Sequence, residues 1–118
     1  MSWLPTQIED SQRAICAENR AEYVAAPNDT KIGFAISTKG LLPLNGLRHP
    51  VAGESNGWYI WCGESYSEAK DFFSPLHTFH LLEEYPELVP LLGLPPGYRF
   101  LKSVDYLDIW YDLTLLSV

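Results

Sequence analysis

Gly57-Trp-Tyr-Ile-Trp-Cys-Gly63 constrains this chain more than any other stretch: two of its four tryptophans lie here, between two glycines. In an extended strand Trp58, Ile60 and Cys62 share one face and Tyr59 and Trp61 the other, so both faces are apolar. Such a strand has to be covered on both sides, which places it inside a sheet. Phe72 and Phe73 follow close behind. The core must gather around these rings, because no other segment offers comparable apolar area.

The rest of the chain arranges itself about that strand. Thr6 to Ala25 holds no Gly or Pro, follows Pro5, and reads as a helix. Its alanine stripe (Ala14, Ala17, Ala21, Ala25, with Val24) is the expected packing face. Pro27-Asn28-Asp29 is turn chemistry. Lys31 to Thr38 alternates Ile32, Phe34 and Ile36 against Gly33, Ala35 and Ser37, a strand whose bare face suits an alanine-rich helix. Lys39 to Asn56, with three glycines and two prolines, reads as a long irregular connection. Ser74-Pro75 has the form of a helix start, and Leu76, Phe79 and Leu82 mark one face. Pro86 ends that helix; a second short one buries Leu88, Leu91 and Leu92 and stops at Gly93. Pro95-Pro96-Gly97 turns the chain into a strand at Tyr98–Lys102. Asp105 to Leu107 turns again into an antiparallel strand at Asp108–Tyr111.

At 118 residues and 47% hydrophobic composition, one domain with a packed core is expected: a helical segment over 1–29 and an α+β body over 30–118. The fold class is α+β. The expected architecture is a mainly antiparallel sheet of about four strands, the N-terminal helix on one face and two short helices between strands. No apolar run reaches the length of a membrane span, and Met-Ser-Trp-Leu-Pro-Thr-Gln has no basic segment leading an apolar one. A cytoplasmic location follows, with Cys16 and Cys62 as buried thiols.

Charge is unevenly placed. Residues 1–50 hold five acids and five bases, while residues 51–118 hold ten acids and three bases, the whole of the net −7. That excess argues against a nucleic-acid partner, which needs a basic footprint. It suits either a basic protein partner or solubility alone.

Conventional catalytic motifs are missing. There is no G-x-S-x-G setting, no glycine-rich phosphate loop and no cysteine in a catalytic motif. His77-Thr-Phe-His80 could seat a metal with Asp71 or Glu84, yet it lacks the i, i+4 spacing and the intervening Glu of the zinc hydrolases. No cofactor is called for. Aromatic and acidic residues do interleave: Trp61, Tyr66, Tyr106, Trp110 and Tyr111 among Glu64, Asp105, Asp108 and Asp112. Rings beside carboxylates suit Arg- and Lys-rich partners, though core packing claims many of sixteen aromatics, Trp58 and Trp61 first.

Four segments together resemble a known family: Gly57 to Glu64; Phe72-Phe73-Ser74-Pro75-Leu76-His77 with His80; Leu92-Gly-Leu-Pro-Pro-Gly-Tyr-Arg-Phe100; and Ile109-Trp-Tyr-Asp112. They look like the bacterial immunity-protein domain numbered thirty-three among the polymorphic-toxin immunity families, over roughly residues 31–112, with the N-terminal helix outside the match. The resemblance implies a cytoplasmic protein that neutralises a cognate toxin by binding and occluding it, without chemistry of its own. It carries no site residues. The expected contacts come from the residue chemistry instead: Glu64, Tyr66, Asp105, Asp108, Trp110 and Asp112, facing a more basic toxin. The alternatives are a metal-dependent protein using His77 and His80, and an interaction domain with no toxin partner.

Overall fold

The computed structural model describes residues 4–117; residues 1–3 of the N-terminal stretch considered above for a leader lie outside it. The described chain runs α1 (Pro5–Glu18), β1 (Lys31–Phe34), β2 (Leu44–Arg48), β3 (Ser55–Cys62), β4 (Ser74–His77), α2 (Thr78–Glu84), β5 (Tyr98–Ser103) and β6 (Tyr106–Tyr111). Short 3₁₀ turns occupy Ile36–Thr38, Pro86–Leu91 and Leu113–Leu116. The fold is α+β. Its sheet has six strands rather than about four, in the order β4-β1-β3-β2-β5-β6. It is mixed: β1 and β3 are parallel, and the other neighbours antiparallel.

The aromatic strand is β3, and it is interior as its two apolar faces require. Trp58 and Ile60 are fully buried against the helical side with Ile32, Phe34, Leu44, Phe100 and Leu81. On the other face Trp61 and Leu47 join Ala35 and Leu115, with Tyr59, Phe72 and Phe73 packed alongside. Among the described residues no α-helix lies over that second face. The 64–73 connection and the C-terminal turn cover it instead, placing Tyr66, Phe72 and Phe73 edge-on around Trp61 and Tyr59.

β2 lies inside the stretch expected to be irregular. Gly46, which argued against a strand, is what lets the strand form here, because a Cβ at that position would collide with the Phe100 ring of β5. Gly33 similarly makes room for the Tyr59 ring. The bare face of β1 is therefore filled by an aromatic side chain and not by α1, which lies on the opposite, Ile32 side of the sheet. The strand itself ends at Phe34, and Ile36–Thr38 is a 3₁₀ turn.

The first helix stops seven residues early. Arg20 adopts a left-handed φ of 54°, and Ala21 N–H closes the end by donating to Cys16 O at 2.8 Å. Its buried positions are Gln12 and Cys16, not the alanines; Ala14 and Ala17 face solvent. The inward face combines Cys16 and the partly buried Ile15, packed on the core, with Gln12, and it also docks on backbone. Gln12 Nε2 donates to Val89 O at 2.9 Å, and Cys16 Sγ lies 3.3 Å from Gly93 O. Ser74 does not cap a helix either. Ser74–His77 is strand β4, paired with β1, and Pro75 is tolerated because this strand is at the margin. The helix begins at Thr78, whose buried hydroxyl donates to Thr30 O and accepts from Asn56 Nδ2. The expected face of Leu76, Phe79 and Leu82 is not the one used: Leu76 lies in β4, Phe79 is exposed and Leu81 is buried in its place. Pro86 follows the end of α2 as expected, and Leu88, Leu91 and Leu92 are buried, in and after a 3₁₀ turn. The last two strands pair antiparallel as expected, across Val104-Asp105, with β6 starting at Tyr106, two residues before the expected Asp108.

Candidate partner-binding surface

Register across the sheet decides which polar and aromatic side chains meet. Trp61 lies opposite Asn45, Asn45 opposite Leu101, and Leu101 opposite Asp108. The adjacent row is Tyr59, Leu47, Arg99 and Trp110. Both rows lie on the face without an α-helix, buried at Trp61 and half-buried at Tyr59 on β3, and open at β6. Asp108 is exposed there, Trp110 is 36% exposed, and Tyr106, on the same face two residues before Asp108, is 56% exposed. Leu107 and Tyr111 are exposed on the opposite face of β6.

The six expected contact residues divide accordingly. Asp108 and Trp110 share one face of β6, and Asp105 is exposed in the turn that leads into it. Tyr66 belongs to the cover over Trp61, edge-on at 5.0 Å between ring centres and still half exposed. Glu64 is exposed just beyond β3, at the same end of the sheet as Asp105, since Leu44 pairs with both Cys62 and Lys102. Asp112 sits at the other end and is used internally. Its carboxylate accepts from Thr114 N and Oγ1 at 3.1 and 2.5 Å and from Arg99 Nη1 at 3.3 Å. The Thr114 hydroxyl, more than the nearby guanidinium, holds this carboxyl below its ordinary range against some opposing burial. Arg99 in turn lies 5.4 Å from the centre of the Trp110 ring, so ring, guanidinium and carboxylate hold one another at the base of the surface.

Leu107, expected in the turn, is a strand residue exposed on the other face of β6. The signal that finds it is the alternation of Tyr106, Asp108 and Trp110 against Leu107, Ile109 and Tyr111, once the strand is started at Tyr106.

Elsewhere the chemistry is sparse. The His77 and His80 rings lie 6.2 Å apart, each against Phe79. Among the described residues no three His, Cys, Asp or Glu side chains converge as a metal site. A depression of about 380 Å³ beside β3 is lined by His49, Pro50, Ala52, Ser55, Gly57 and Tyr59, without a carboxylate or thiol. His49 is engaged there through Nδ1 with Leu115 O at 2.9 Å. Cys16 and Cys62 are both buried, and burial pushes the Cys16 thiol up, away from the nucleophilic form.

A family model described as the Imm33-like domain matches residues 11–112. The match starts inside α1, at the turn that carries Gln12 and Cys16, so the helix expected to stand outside the family is largely within it. No curated protein and no solved structure matches the chain. With most of its length covered, this chain belongs to the Imm33-like family of immunity domains.

Proposed function

We propose that this protein neutralises a bacterial toxin by binding and occluding it, without catalysis, in the cytoplasm of the cell that makes it. One observation carries the reading beyond family membership: β6 and its turn leave Tyr106, Leu107, Trp110 and Tyr111 exposed beside Asp105 and Asp108. Large rings that keep their exposure in a folded domain suit a contact surface, since interfaces are rich in Tyr and Trp anchors. The carboxylates add selectivity for a cationic partner, with rings and acids meeting guanidinium groups together. Glu64 and Tyr66 extend the surface along the same face. Asp112 supports it from beneath by holding Arg99 under Trp110.

The test is co-expression with the product of the adjacent gene, scoring survival and co-purification. Rescue with a stable complex is the expected result, and Trp110→Ala or Tyr106→Ala should weaken the complex by roughly tenfold or more. Glu9→Ala, on the exposed side of α1, should leave it unchanged. Rescue without a complex would exclude occlusion; an adjacent gene product that is neither toxic nor bound would remove the toxin reading itself.

A further inference from the structure

The two margins of the sheet are built differently. β4 has four residues and carries Pro75, which cannot donate to a further strand. β6 has six residues and contains neither Pro nor Lys, which often blunt a free margin; its one charged side chain is Asp108. Which of its backbone groups are free follows from the ladder. Asp112 N–H donates to Gly97 O at 2.7 Å, which sets the alternation of the β5–β6 pairing. The N–H and C=O groups of Tyr106, Asp108 and Trp110 then point at β5, and those of Leu107, Ile109 and Tyr111 point away from the sheet. Exposed side chains flank this free row on both faces, Tyr106, Asp108 and Trp110 on one and Leu107 and Tyr111 on the other.

We infer that β6 is a docking strand: the partner lays an extended segment bearing Lys or Arg along it and continues the sheet. This rests on the toxin-binding reading and supplies its mode of contact. Main-chain hydrogen bonds to Leu107, Ile109 and Tyr111 would give affinity, and side chains reaching the rings and acids would give selectivity. Charge selects the occupant. β6 and its turn carry Asp105 and Asp108 and no base, and the chain as a whole carries −7. A second copy would bring −7 against −7, and antiparallel pairing centred on Asp108 would set two carboxylates directly opposite.

The test uses the complex with the adjacent gene's product and reads amide exchange by NMR. In the complex the amides of Leu107, Ile109 and Tyr111 should exchange at least about tenfold more slowly, the loss of one such bond being worth roughly that factor. Those of Asp108 and Trp110, already turned to β5, should change less. Leu107→Pro removes one outward N–H at a margin where proline is tolerated. It should weaken binding by roughly tenfold beyond Leu107→Ala, which removes only the side chain. A complex in which the outward amides stay unprotected overturns strand addition while leaving toxin binding intact; this measurement on the unaltered protein stands even where Leu107→Pro fails to fold. No complex at all overturns both readings. Concentration-dependent self-association that protects the same amides without the toxin would assign the strand to a second copy and overturn the basic occupant.

Discussion

At the scale of single residues, Arg48 does the most to join separate parts of the chain. It is fully buried in β2, and its guanidinium donates to Asn56 O, Val24 O, Ala25 O and Leu94 O at 2.7–3.0 Å, with a longer contact to Leu92 O. Among the described residues no carboxylate pairs with it. Burial lowers its pKa to about 10, with Cys16 and Tyr23 opposing. A depression of that size corresponds to about 3 kcal/mol of less favourable charging than in water. The charge is retained because its donors satisfy carbonyls of the segment after α1 and of the turn before β5. Arg48→Met should orphan four carbonyls at roughly 1–3 kcal/mol each, outweighing the relief of burial. A net loss of about 3 kcal/mol in urea unfolding is expected. A variant as stable as the parent would show that water or rearranged backbone replaces the guanidinium. Nothing in the sequence singles out this arginine among five basic residues of the first half, since its acceptors are backbone atoms from three distant segments.

At the scale of elements, the aromatic cover over β3 stands in for an α-helix on the second face. Phe73 lies at its centre, 4.9–6.2 Å between ring centres from Phe72, Tyr59, Tyr66 and Trp61. It is only half-buried. Phe73→Ala should therefore cost about 2–3 kcal/mol, below the range for a fully buried ring, and speed amide exchange across 64–73 before the helical side responds. Uniform acceleration over the whole chain would mean that the cover and the main core open as one unit. The strands that proved legible, β1, β3, β5 and β6, announce themselves by their own local patterns. β2 and β4 did not, because each contains residues that local rules assign elsewhere. Gly46 is accepted because Phe100 fills its missing volume, and Pro75 because β4 is a margin. Both explanations involve residues far away in sequence.

At the scale of the whole molecule, charge and shape act together. The acidic excess belongs entirely to residues 51–118, and the proposed surface lies within them. Association with a basic toxin should be steered by this field. Raising salt from about 50 to 500 mM should slow the association rate by tenfold or more and alter dissociation much less. An association rate indifferent to salt would confine recognition to rings and backbone.

The sequence by itself determined the α+β class, the interior position of the aromatic strand, the antiparallel final pair and the family, because each rests on a contiguous local pattern. It also supplied Asp105, Asp108 and Trp110 as neighbours, since they share one strand and its turn. Tertiary structure alone decided the rest. Two further strands became acceptable through distant partners, and α1 turned Gln12 and Cys16 inward to reach the backbone at Val89 and Gly93. Register across β3, β2, β5 and β6 set which end of each row is buried, and so which rings remain exposed to meet a partner. Pairing between strands distant in sequence leaves no local trace, because backbone hydrogen bonds are indifferent to side-chain identity.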